Sequence, residues 1–194
     1  VCVVHNETST GVTSRIDEVR AAIDRAGHPA LLLVDTVSGL GCADYRHDEW
    51  RVDVSVAGSQ KGLMMPPGIA FNAVSEKALD FSKKANTRKL FWSWEEMIPH
   101  NANGYFPYTP ATNMLHGLEA AIDMMNEEGL QNVFARHKRH AEATRRAVAG
   151  WGLETVCQNN DLHSPVLTGV MLPEGHNADR FRAIVLDHFD MSLG

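Results

Sequence analysis

Three short stretches of this sequence carry side chains suited to amine and carbonyl chemistry. Residues 58–62 read GSQKG and set Lys61 among small and amide neighbours. An amine attacks a carbonyl only when neutral, and a free lysine has a pKa of about 10.4. Desolvation or nearby positive charge lowers that value. No acid stands between Asp53 and Glu76, so the setting of Lys61 suits a desolvated, reactive amine. The alternative is an ordinary surface lysine after a strand. Asp35 closes the apolar run LLLVD. A carboxylate there is costly if unpaired, so it pairs with a cation, caps a turn, or holds a protonated ring nitrogen of a bound group. Thr8, Ser9 and Thr10 bring hydroxyls in HNETSTG, suited to a ligand or to routine turn chemistry. Gln60 meets an anionic oxygen without adding a charge that would perturb the amine.

These residues need strands to deliver them to one place. VCVV (1–4), ALLLVD (30–35), VDVSVAG (52–58) and GIAFNAV (68–74) read as strands, the short apolar runs among them suited to burial on both faces. A helix is predicted from Ser14, with Ile16, Val19, Ala22 and Ile23 on its inner face, Ser14 as N-cap and Gly27 as stop. A second helix spans 75–85, capped by Ser75. Strands alternating with helices predict an α/β fold with a mainly parallel sheet and helices on both faces. Ligands in such sheets gather at the carboxyl ends of strands, where His5 to Thr10, Asp35, Gln60 and Lys61 all fall. Residues 90–108 read as an aromatic loop. Long helical patterns follow on either side of Gly129, then a strand at 164–173 and a helix at 177–189. We place a boundary near Gly129, with residues 1–128 a large domain and 129–194 part of a smaller α+β domain.

Composition excludes several classes. The net charge of -6 argues against nucleic acid as a partner. The cationic run RHKRH (136–140) reads as a solvated helix face. Three widely spaced cysteines without a CxxC argue against a disulfide framework or structural zinc and fit a reducing, cytoplasmic compartment. No apolar run approaches the roughly 18 residues of a membrane helix. His137 and His140 lack an acidic or cysteine partner at metal-ligand spacing, so no metal site is expected. No dinucleotide or P-loop glycine pattern occurs. Met64, Met65, Met124 and Met125 read as packing. The chain starts with Val in mid-strand and stops just after a helix, which suggests an interior segment of a longer protein.

HNETSTG, LLLVDTVSGLG and GSQKGLMMPPG, in this order and with 26 residues from Asp35 to Lys61, resemble the class V aminotransferases of fold type I. The subgroup they resemble is the serine-glyoxylate and alanine-glyoxylate aminotransferases. Residues 104–137, GYFPYTPATNMLHGLEAAIDMMNEEGLQNVFARH, are similar to the serine-glyoxylate branch. The resemblance implies pyridoxal 5'-phosphate as cofactor and a ping-pong transfer of an amino group from an amino acid, serine by this branch, to glyoxylate. It implies that Lys61 forms the internal aldimine, that Asp35 pairs with the pyridinium nitrogen, that Thr8 bonds near the ring and that Gln60 contacts the phosphate. Tyr108 and Thr109 would reach the phosphate in the neighbouring subunit of a homodimer with shared sites. Phe106 departs from relatives that carry a hydroxylated aromatic there. The family's phosphate loop would lie upstream of Val1 and its carboxylate-clamping arginine downstream of Gly194, so these 194 residues alone are expected to be inactive. Two other readings stand beside this one. A cysteine desulfurase-like lyase would carry a histidine where Gln60 stands. A non-catalytic oligomerisation module would keep the fold without the chemistry.

Overall fold

A computed structural model describes residues 1–194. The element order is β1 (Cys2–Val4), β2 (Asn6–Glu7), β3 (Val12–Thr13), α1 (Ile16–Arg25), β4 (Leu33–Asp35), β5 (Val54–Gly58), β6 (Ala70–Val74) and α2 (Glu76–Lys84). Then come α3 (Trp94–Ala102), α4 (Thr112–Glu128), α5 (Leu130–Gly150), β7 (Glu154–Thr155), β8 (Val170–Met171) and α6 (Ala178–Phe189). The main sheet has the order β1-β4-β5-β6. Its first three strands are parallel and β6 returns antiparallel to β5. The fold is therefore α/β with a mainly parallel sheet, as the alternation of patterns predicts.

Register matters most for the site. Val4 pairs with Asp35, and Asp35 pairs with Val56. The three parallel strands thus end side by side, and their following loops share one edge of the sheet. On one face the amphipathic helix α1 seats Ile16 and Ile23 against Leu32, Val34 and Val52. Burying each such side chain stabilises by about 1.5–3 kcal/mol. At the opposite end of the sheet, Asp53 is buried and tied to several elements. It accepts from the Leu32 amide at 2.8 Å and the Ser75 hydroxyl at 3.1 Å, and lies 3.6 Å from Arg20 and 3.7 Å from Lys77.

Several local expectations need correction. β1 and β6 are edge strands and largely exposed, because each has a neighbour on one side only. Ser14 does not cap α1; its amide donates to the His5 carbonyl at 2.8 Å, so it still belongs to the preceding extended segment. The helix begins after Arg15, without a side-chain cap. Arg20 is buried where Ala22 was expected to be, since its guanidinium reaches Asp24 and Asp53. Residues 90–108 are not simply a loop: α3 lies within them and accommodates Pro99 inside the helix. Of the strand expected at 164–173, only Val170–Met171 pairs, with β7. The Ser75 cap stands, accepting from the Ala78 amide at 3.1 Å. Gly27, at φ 58, stops α1 as its position suggests. No helix is long and apolar enough to cross a membrane.

Candidate active site

The lysine loop is built on a serine. Ser59 is fully buried beyond β5, and its hydroxyl donates to the Pro66 carbonyl at 2.7 Å and accepts from the Ile69 amide at 3.3 Å. The Ser59 amide donates to the Ile69 carbonyl at 3.0 Å, the Met65 amide to the Ser59 carbonyl at 3.2 Å, and the Met64 amide to the Lys61 carbonyl at 2.9 Å. Residues 59–69 therefore close on themselves, and Met64 takes the left-handed conformation at φ 59. Gly62 is required by close approach. A side chain there would begin 2.0 Å from the Leu40 carbonyl oxygen and 2.8 Å from the Cys42 sulfur. The lysine loop is thus packed backbone to backbone on the loop that follows β4.

That second loop starts at Asp35. Its Oδ1 accepts from the Val37 amide at 2.8 Å, the turn-capping role weighed from the sequence, while the side chain remains exposed. The next residue, Thr36, is buried and donates to the Val56 carbonyl at 2.9 Å. The loop after β1 is held by Asn6, whose side-chain amide donates to the Ser38 hydroxyl at 2.9 Å; that hydroxyl donates back to the Asn6 carbonyl at 2.7 Å. His5 lies beneath, 2% exposed, against Tyr45 and Trp50, and its Nδ1 has no hydrogen-bond partner. Burial pushes its imidazole down to about 4, partly opposed by Asp44.

The loops open onto a cavity of about 520 Å³. Thr8, Ser38, Cys42 and Lys61 line one side of it, and Met125, Glu128, Arg136 and His137 line the other. Burial pushes the Cys42 thiol up and the His137 imidazole down. Of the residues expected to act together, Thr8 and Lys61 share this cavity, and Asp35 stands at the end of the strand between theirs. Lys61 is exposed, so these 194 residues do not supply the desolvation its neighbours suggested. Gln60 is exposed and outside the cavity, its Oε1 lying 2.7 Å from where a side chain on Gly58 would begin. Tyr108 and Thr109 are not brought to Lys61; they line a separate hollow formed by residues 104–115.

Sequence reasoning missed the opposite wall. Arg136 belongs to the RHKRH run, yet it binds Glu128 through Nε to Oε1 at 2.7 Å and Nη2 to Oε2 at 2.8 Å. Lys138, Arg139 and His140 remain on the solvated face. The available signal was an acid and an arginine eight residues apart across the helix-breaking Gly129. Chemically, the cavity offers an amine and hydroxyls; Asp35 does not line it, but at the neighbouring strand end it holds a carboxylate whose second oxygen is unbonded within the chain. That donor set suits a group with an aldehyde and a protonated ring nitrogen.

The family model for aminotransferase class-V matches residues 1–187. The chain is 46% identical, over its whole length and 50% of the relative's, to a serine–glyoxylate aminotransferase of Methylorubrum extorquens. It is 43% identical over its whole length to an L-aspartate–glyoxylate aminotransferase of Paracoccus denitrificans, covering 49% of that protein. Among solved structures, a pyridoxamine-pyruvate aminotransferase from Mesorhizobium loti superposes with a TM-score of 0.87 at 31% identity, over 96% of this chain and 48% of that one. The chain therefore spans about half the length of the relatives it matches.

Proposed function

The chain belongs to the class-V aminotransferases, and from that premise we propose that the full-length protein is a pyridoxal-phosphate-dependent aminotransferase passing an amino group from serine to glyoxylate. The observation that carries this reading is the meeting of Lys61 and Thr8 in one cavity, with Asp35 on the adjacent strand end. Pyridoxal phosphate, when bound there, supplies an aldehyde and an electron-accepting ring. Lys61 would hold the group through its aldehyde and would serve as the base that moves a proton at the substrate Cα. The free oxygen of Asp35 would keep the ring nitrogen protonated. The Thr8 hydroxyl would orient the ring, and Gln60 would turn from Gly58 to the phosphate. The donor rests on the Methylorubrum relative; the Paracoccus relative is named for aspartate, so the donor is open to a direct screen.

Tyr108 and Thr109 lie apart from Lys61, which supports their reaching the phosphate of a second copy's cofactor in a homodimer. Leu90, Trp92 and Tyr105 are 79%, 77% and 70% exposed beside them, an apolar strip that a second copy would cover. We keep the division at Gly129 between a large cofactor-binding domain and part of a small domain, and a cytoplasmic location for the three free thiols.

The test uses the full-length protein. It is incubated with pyridoxal phosphate, reduced with borohydride and digested, and the pyridoxyl group is located by mass spectrometry. Modification of Lys61, lost in Lys61→Ala, supports the reading; an unmodified Lys61 sinks it. Serine, alanine and aspartate are then offered with glyoxylate, and glycine formation identifies the donor.

A further inference from the structure

Helix α4 lies against the lysine loop through glycine contacts. The Met114 sulfur sits 2.6 Å from where a side chain on Gly68 would begin, and the Met65 methyl 3.5 Å from the same point on Gly117. The Met125 methyl is 2.9 Å from that point on Gly41, and the Gly62 carbonyl oxygen is 3.4 Å from it. One helix thus supports both the 59–69 loop and the loop that packs on Gly62. Methionine against glycine is adaptable and does not lock a helix along its axis. The lock available is at the C-terminal end. Glu128 is the last residue of α4, where the helix dipole disfavours a carboxylate. The chain turns at Gly129, φ 83, and Arg136 reaches back from α5 in a bidentate pair that holds the Glu128 carboxyl below its usual range.

We propose that Glu128 and Arg136 are a positioning pair for Lys61, fixing α4 beneath the lysine loop. The proposal rests on the functional reading above only for the group that Lys61 meets. The competing role is direct contact of Arg136 with a substrate carboxylate, since its Nη1 has no partner within the chain and it lines the same cavity.

The two roles separate in the full-length protein. Amide hydrogen exchange is measured without cofactor in wild type, Glu128→Gln, Arg136→Gln and the double variant. Positioning requires exchange at Met64, Met65 and Ile69 to rise by roughly tenfold in each single variant, the loss of one charge-assisted pair. The double variant should be no worse than either single, with β4 and β5 unchanged. Unchanged exchange in that loop overturns the proposal, as does an effect of Arg136→Gln that Glu128→Gln lacks. If Arg136→Gln fails to fold, the isosteric Glu128→Gln decides by the same loop. With pyridoxal phosphate bound, the pH midpoint of the visible absorbance should shift alike in both single variants while the KM values for serine and glyoxylate stay put. A KM increase in Arg136→Gln alone would make Arg136 a substrate contact and end the proposal. Absence of the visible band in wild type defeats the functional reading instead, and exchange still decides the positioning role.

Discussion

Gly62 shows how one missing side chain sets the position of the Lys61 loop. Its hydrogen faces the Leu40 carbonyl oxygen at a distance no carbon tolerates. Gly62→Ala is therefore expected to cost about 1–3 kcal/mol in urea denaturation and to weaken pyridoxal-phosphate binding, because the loop must lift from its support. His5 makes a separate statement about pH. Its folded pKa, about 4, lies below the ordinary value of 6.5, so the unfolded chain binds the proton first as pH falls. Its contribution is complete above pH 6.5 and is lost as pH falls toward 4, about 3 kcal/mol over that window. In His5→Gln, the dependence of the urea midpoint on pH between 4 and 6.5 should flatten. An unchanged slope would show that the imidazole is not held neutral. Both residues were visible in the sequence, but only as neighbours of more obvious chemistry.

At the scale of elements, the two ends of the sheet differ in what they carry. The carboxyl ends of β1, β4 and β5 carry Thr8, Asp35 and Lys61, while the start of β5 carries the buried Asp53. Removing Asp53 leaves Arg20 buried with Asp24 alone and frees the Leu32 amide and the Ser75 hydroxyl. Asp53→Ala should cost about 3 kcal/mol of stability, read by urea denaturation, with cofactor binding per folded molecule unchanged. Ser75→Ala removes the α2 cap and should cost about 1 kcal/mol. The sequence pattern located α1, α2, α4, α5 and α6 because hydrophobic period and stop signals are local. It missed α3 because Pro99 and exposed aromatics mask the period. It overextended the strand at 164–173 because pairing, not β propensity, limits a strand there.

At the scale of the whole molecule, exposed apolar side chains bear on assembly. If the strip of Leu90, Trp92 and Tyr105 is covered by a second copy, Trp92→Glu in the full-length protein should shift sedimentation from dimer toward monomer. A dimer unchanged by that substitution would place the interface elsewhere. The sequence by itself determined the α/β class and the residues at the strand ends, because strand alternation and the motifs around Thr8, Asp35 and Lys61 are contiguous in the chain. Tertiary structure alone decided which of them meet. Parallel register aligned Val4, Asp35 and Val56, whereas Tyr108 and Thr109 fell in a separate hollow. It also turned Arg136 from a surface charge into the partner of Glu128, since a bend at Gly129 makes neighbours of residues eight apart. Those outcomes depend on contacts between distant segments, and local period and composition carry no record of them.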